Sequence, residues 1–198
     1  MKKLLSAIAI AVLALPCFAS VDTGEAAPGF TLTDSYGKAH SLADFKGKTV
    51  ILEWTNHECP FVKKHYDSNN MQQLQKKYTD KDVVWLSIIS SAEGKQGFVT
   101  AEKANKLTAD RHANPSFVLF DTDGKVGKSY NAKTTPHMYI INAEGKLIYK
   151  GGIDSIQSTD KADIAKATNY VDKAMAEHLA GKVVSESSTA FYGCGIKY

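Results

Sequence analysis

Between Val50 and Tyr66 the chain passes from an apolar run, Val50-Ile51-Leu52-Glu53-Trp54, through a polar turn, Thr55-Asn56-His57-Glu58, to Cys59-Pro60. A helical pattern follows, with Phe61, Val62, Tyr66, Met71 and Leu74 as candidate buried positions. Branched and aromatic residues in such a run predict a buried strand. A proline just after the turn suits the first position of a helix, where its missing N–H costs nothing. Cys59 therefore sits where a buried strand hands over to a helix. The free N–H groups and the dipole of a helix start favour an anion, and a thiolate is one. A small cysteine that only fills space is the alternative, and Cys-Pro at a strand-to-helix turn is an unusual place for it.

The rest of the chain supplies layers for this unit. Ala27 to Asp34 and Ala39 to Leu42 predict an N-terminal β-hairpin around the turn Ser35-Tyr36-Gly37-Lys38. The helix after Cys59 is predicted to reach about Tyr78, with a kink or break at Asp67-Ser68-Asn69-Asn70. Val83 to Ile89 is a nearly continuous apolar run, the pattern of a strand covered on both faces. A polar helix over Thr100 to Arg111, capped by Thr100, a strand over Ser116 to Phe120 and one helical turn over Val126 to Tyr130 follow. Thr134-Thr135-Pro136 heads a strand reaching Ile141, and a proline so placed beside a reactive turn is often cis. Asn142-Ala143-Glu144-Gly145 turns it back into Lys146 to Gly152. Asp160 to Ala180 is predicted as one long amphipathic helix on Ile164, Ala167, Val171, Ala174 and Leu179, ended by Gly181.

The first residues read as a targeting segment. Lys2 and Lys3 give a positive start, Leu4 to Leu15 is apolar except for Ser6, and small residues close it at Ala19-Ser20. The run is too short for a comfortable membrane span. A lipid on Cys17 fits poorly, because Pro16 directly precedes it. The expected organisation is a signal peptide over 1–19, one domain over 20–182 and a tail over 183–198 carrying Cys194. Localisation is expected to be periplasmic or secreted, with no stable membrane insertion once the leader is removed. Of three cysteines, two then remain, Cys59 and Cys194, in an oxidising compartment where paired thiols form or cycle through a disulfide. The formal charge is +3, and loss of Lys2 and Lys3 brings it to +1. With Arg111 the only arginine, this balance argues against a nucleic-acid partner.

The order of elements is that of an α/β fold, a central mixed β-sheet with helices on both faces. Ala27-Pro28-Gly29-Phe30-Thr31-Leu32, Trp54 through Val62, Thr134-Thr135-Pro136 and the Asn142 to Gly152 hairpin resemble the thioredoxin superfamily. The resemblance is closest to its redoxin branch, named after alkyl hydroperoxide reductase and thiol-specific antioxidant, and covers nearly all of the chain after the leader. It implies a thioredoxin-like fold and a thiol-based, antioxidant or disulfide-exchanging oxidoreductase without a cofactor. Two departures matter. Cys59-Pro60-Phe61-Val62 stands where thioredoxin-like reductases carry Cys-x-x-Cys, so Val62 replaces the second cysteine. Peroxiredoxins place their reactive cysteine at the Val62 position, with a threonine three residues before it and a separate arginine; here Asn56 lies three before Cys59.

In the resemblance Thr135 and Pro136 face Cys59, and the backbone of the residue before the proline pairs with a bound thiol partner. Cys59 is the expected nucleophile on a peroxide or on a protein or small-molecule disulfide, with Cys194 or an external thiol resolving the product. Thr135, Pro136, Pro60 and Asn56 are the expected substrate contacts. Lys63 and Lys64 are candidates for positive potential at the helix start, or else solvated surface. Glu53 is a candidate proton carrier near the thiol or an edge-facing carboxylate. Two other classes compete. His57, Cys59, His65 and His137 together would suit copper or zinc, although no metal site is expected behind the shielding Pro136. An inactive fold used as a binding module is the other. His40, His112 and His178 are expected at the surface.

Overall fold

A computed structural model describes residues 21–198; the predicted leader lies outside the described residues. Strands β1 (Thr31–Asp34) and β2 (Ala39–Ser41) form the expected hairpin. The apolar runs become β3 (Val50–Trp54) and β4 (Val84–Ile89), with every residue of both strands buried. With β5 (Phe117–Phe120), β7 (His137–Ile141) and β8 (Leu147–Gly151) they make one mixed sheet in the order β2-β1-β5-β4-β3-β7-β8. The pairs β3·β4 and β4·β5 are parallel, and β7 runs antiparallel to β3. The two short strands left, β6 (Thr134–Thr135) and β9 (Cys194–Gly195), pair only with each other.

Side chains alternate across a strand, and on β3 this sorts the core. Val50, Leu52 and Trp54 face one layer, with Leu86, Ile88, Tyr130 and Tyr139. Ile51 faces the other, with Val62, Met71, Trp85, Met138 and Met175. Glu53 shares the Ile51 face, which turns it inward toward the helix that starts after Cys59. That helix is α1 (Pro60–Asp67), with Pro60 in its first turn and Cys59 as its N-cap. It breaks where expected: Asn69 takes φ 60°, and α2 (Asn70–Thr79) restarts beyond it. Asparagine tolerates this left-handed conformation better than most residues. Thr100 caps α3 (Ala101–Asp110) by accepting from the Lys103 N–H at 3.3 Å, and α4 (Lys125–Ser129) is the predicted single turn.

The long helix predicted over Asp160–Ala180 is not formed. Only a 3₁₀ turn, Lys161–Asp163, and the helix α5 (Tyr170–Leu179) are helical. Two tertiary contacts interrupt the span. Ser155 N–H donates to the Thr168 carbonyl at 3.0 Å, and Asp154 bridges to Asn169. Asn169 then caps α5 through the Asp172 N–H at 2.9 Å, while Leu179 remains 46% exposed. Gly181 ends the helix with φ 71°.

His40 is not a surface histidine. It is buried, donates from Nε2 to the Asp34 carboxylate at 2.8 Å, and its ring centroid lies 3.9 Å from that of Phe117. Burial opposes the Asp34 carboxylate, but N–H donors from Lys38 and Tyr36 and the His40 ring hold its pKa below the ordinary value. His112 is exposed, and His178 is half-buried and bonds Thr49 at 2.9 Å.

Candidate active site

Cys59 ends the turn that leaves the C-terminal edge of β3. Asn56 builds that turn: its Oδ1 accepts the Glu58 N–H at 2.9 Å, and its carbonyl accepts the Cys59 N–H at 3.1 Å. Gly97 packs so closely on Asn56 that any β-carbon there would lie 2.5 Å from its amide nitrogen. Asn56 is thus buried and holds the turn, while Pro60 is exposed beside the thiol. Glu58 accepts the Gly97 N–H at 2.8 Å and ties the turn to the following loop.

The Cys59 thiol is fully buried and donates to the Thr135 carbonyl at 3.1 Å. The peptide bond from Thr135 to Pro136 is cis, and both residues are buried. Thr135 is the register partner of Cys194 in the β6·β9 pair. The carbonyl that receives the Cys59 thiol therefore belongs to the residue that faces Cys194, and both cysteines are free thiols. Gly193 makes this approach possible: it takes φ 138°, and a β-carbon there would lie 2.7 Å from the Thr135 carbonyl carbon.

The two thiols have opposite acidities. Burial pushes the Cys59 thiol up, but hydrogen bonds from the Cys194 thiol, the Val62 N–H, Thr135 and the Cys194 N–H outweigh it and leave Cys59 below its ordinary value. Burial, then the hydrogen bond and the charge of Cys59, push Cys194 up to about 12, with Lys197 acting in the other direction. The first proton to leave the pair is that of Cys59, at the positive end of α1.

Lys64 does not contribute to that potential as expected. It is buried, and its ammonium bonds Asp154 at 3.3 Å and the Ile156 carbonyl at 3.1 Å. A buried ammonium needs such a partner. Lys63 is the exposed one of the two. Asp154 also accepts from the Tyr192 hydroxyl, and Tyr192 meets His65 at 3.3 Å and the Phe61 ring at 5.6 Å. Burial lowers His65 to about 4, so the ring stays neutral there. This Lys64–Asp154–Tyr192–His65 cluster joins the helix of Cys59 to the tail of Cys194. Asp154 has no local signal in the sequence; Tyr192 does, as one of the aromatic residues flanking Gly193-Cys194-Gly195 that are suited to dock the tail, and it is buried.

Glu53 is not an edge-facing carboxylate. It is fully buried and accepts from Tyr66 at 2.9 Å, Trp85 Nε1 at 2.9 Å, the Ser87 hydroxyl at 2.9 Å and Gln75 at 3.2 Å. Burial raises its pKa more than these donors lower it. Arg111 donates to the His57 carbonyl at 3.0 Å and covers the Tyr66 ring at 4.8 Å. With Thr55, His57, Tyr66 and Ser87 it lines a small cavity of about 50 Å³ behind the turn, walled by Ile89, Val99 and Leu107.

The histidines do not converge on the thiol. His65 bonds Tyr192 and Asn70, and His137 bonds the Lys133 N–H and Tyr139 and stacks on Phe191 at 4.5 Å. Among the described residues, no three of His, Cys, Asp and Glu come together as a ligand set for a metal.

A family model described as Redoxin matches residues 22–168. The thioredoxin-like protein YneN of Bacillus subtilis is 30% identical over 146 residues, 73% of this chain and 81% of YneN. The thiol-disulfide oxidoreductase ResA of the same organism is 29% identical over 129 residues, 65% of this chain and 66% of ResA. A crystal structure of an uncharacterized conserved protein from Geobacillus kaustophilus superposes with a TM-score of 0.76 at 26% identity, covering 89% of this chain and 92% of that one.

Proposed function

The chain belongs to the redoxin family, and we propose that it works as an exported thiol-disulfide oxidoreductase with Cys59 as attacking thiol and Cys194 as resolving thiol. The observation that carries the reading is the meeting of both cysteines on Thr135: its carbonyl takes the Cys59 thiol, and its backbone pairs with Cys194. Relatives such as ResA carry the name of this activity. Export rests on the leader, and it suits a thiol pair that works in an oxidising compartment.

When the tail strand lifts from Thr135 and opens the otherwise buried Cys59, its thiolate attacks one sulfur of a protein or small-molecule disulfide. A Cys59–substrate S–S bond forms, the substrate S–S bond breaks, and the other substrate sulfur leaves with the electron pair and takes a proton. Cys59 is then neutral. Its charge and its hydrogen bond, two of the causes that hold the proton on Cys194, are gone. Cys194 ionises more readily at that moment and attacks the Cys59 sulfur, releasing the second substrate thiol. The products are a reduced substrate and a Cys59–Cys194 disulfide. Two equivalents of an external thiol return the pair to its reduced form. Thr135 and Pro136 position the thiol, Asn56 holds its turn, and Pro60 borders the approach.

Disulfides are favoured over peroxides as substrate because Arg111 is committed to the His57 carbonyl and the Tyr66 ring. The test compares wild type with Cys59→Ser for disulfide reduction and for peroxide consumption. Disulfide reduction is expected in wild type and lost in the variant, with peroxide consumption slow in both. A Cys59→Ser variant that still reduces disulfides at the wild-type rate overturns the assignment.

A further inference from the structure

We infer that the external thiol reopens the Cys59–Cys194 disulfide by attacking Cys194 rather than Cys59, and that this thiol is a small molecule rather than an extended polypeptide. The inference rests on the resolving pair proposed above.

Access comes first. Cys59 is fully buried, enclosed by its own turn and the Thr135 carbonyl, whereas Cys194 is half-buried between Gly193 and an exposed Gly195. Thiol–disulfide exchange needs an unobstructed line onto the attacked sulfur; in the oxidised protein the Cys59–Cys194 bond itself keeps the tail docked, and there only Cys194 offers solvent on one side.

The tail is strapped down on both sides of that cysteine. On one side Tyr192 is buried against Phe61 and bonds Asp154 and His65. On the other side the Lys197 carbonyl accepts the Ala92 N–H at 2.9 Å, and Tyr198 donates to the Ala132 carbonyl at 2.8 Å. The Tyr198 ring also fills the space beside Gly127, where a β-carbon would lie 2.7 Å from it. Between these anchors Cys194 and Gly195 pair with Thr135 and Thr134, and the Ile196 N–H donates to Lys133 at 3.0 Å. The backbone edge that an extended peptide would use is therefore already occupied. A peptide could take it only by lifting away the strand that carries the sulfur to be attacked. A small thiol needs no edge.

The leaving groups point the same way. The better-stabilised thiolate departs more readily, and Cys59 leaves at the start of α1, where the Val62 N–H lowers its pKa without any help from Cys194. Lys197, beside Cys194, favours the approach of an attacking thiolate. A thiol loses its proton to water and attacks Cys194, forming an S–S bond to it. The Cys59–Cys194 bond breaks, and its electron pair stays on Cys59 as thiolate. A second thiol attacks the sulfur of the first, giving the oxidised small disulfide, and Cys194 leaves and takes up a proton. Two small thiols are oxidised and one protein disulfide is reduced.

The experiment uses full-length protein with its disulfide formed by mild oxidation and confirmed by a Cys59–Cys194 linked peptide. Glutathione is added, samples are acid-quenched early, and the glutathionylated cysteine is mapped. Glutathione is expected on Cys194 in ~10-fold or greater excess over Cys59. Equal labelling, or more on Cys59, overturns the inference while leaving the pair intact. Absence of the linked peptide means that the resolving pair itself fails, and the inference falls with it. As a second measurement, thionitrobenzoate is loaded on Cys194 of Cys59→Ser and on Cys59 of Cys194→Ser, each in a Cys17→Ser background so that one cysteine remains. Its release by glutathione is expected to be ~10-fold faster from Cys194; similar rates, or faster release from Cys59, overturn the inference. For the size of the partner, reduction of the wild-type disulfide by glutathione is compared with that by a ten-residue peptide thiol at equal thiolate. An equal or faster peptide overturns the small-molecule assignment.

Discussion

Replacing Gly193 by alanine should undock the strand that carries Cys194. The added β-carbon would press on the Thr135 carbonyl and lie 2.7 Å from its carbon, and this neighbour is backbone that cannot swing aside. The residue also takes φ 138°, which side-chain-bearing residues rarely adopt. Overpacking costs ~1–3 kcal/mol, and a strained backbone conformation costs a similar ~1–3 kcal/mol. The docked tail should lose ~2–6 kcal/mol, and at ~1.4 kcal/mol per tenfold even the lower end raises the opening equilibrium ~30-fold. Hydrogen exchange reads that equilibrium at the Ile196 amide, which donates to Lys133 only when the tail is docked. Exchange there should accelerate by ~30-fold or more, and formation of the Cys59–Cys194 disulfide should slow. Gly195→Ala is the matched control: nothing lies within 4 Å of a β-carbon at Gly195, so its effect should stay within ~0.5 kcal/mol. If the two alanine variants exchange alike, the close approach of the tail to Thr135 is not what holds Cys194 at the site.

Three further outcomes follow from buried charge. Burial raises the Glu53 pKa above its ordinary 4.5, so its stabilising share is complete below that pH and is lost as pH rises through the folded value. Urea midpoints of wild type should therefore fall relative to Glu53→Gln as pH increases, and a pH-independent difference contradicts this. His65 and His137 are held neutral by burial, at about 4 and about 3. Stability should accordingly fall as pH drops below about 6.5, where the unfolded histidines charge; His137→Gln should flatten that loss, and an identical acid profile speaks against it. Asp154→Asn strands the Lys64 ammonium with the Ile156 carbonyl alone; a loss of ~3–5 kcal/mol should lower Tm by ~6–20 °C, and an unchanged melting curve contradicts the buried pair.

Much of this architecture is legible in the sequence because it is local. The apolar runs of β3 and β4, the Cys59-Pro60 junction, the break at Asn69, the Thr100 cap and the Asn142–Gly145 turn each follow from neighbours in the chain. The errors lie where distant segments decide. Periodicity favours a helix through Thr168 and Asn169, but their bonds to Asp154 and Ser155 win. Lys64 reads as surface until Asp154, 90 residues away, is placed beside it. His40 reads as surface until Asp34 and Phe117 close over it. Glu53 is ambiguous by sequence, because only the packing of Tyr66, Trp85 and Ser87 shows where its oxygens find donors. At the site, Cys59 is marked by its own turn, and Cys194 by its glycines. No local pattern shows that Thr135 joins them.

The central claim, that Cys59 attacks and Cys194 resolves, is tested most directly by peptide mapping of the protein after turnover with a disulfide substrate, with free thiols blocked and no reductant added. A Cys59–Cys194 linked peptide should appear in proportion to the substrate reduced and vanish on adding a thiol. Cys194 remaining free while Cys59 turns over at the full rate contradicts the account.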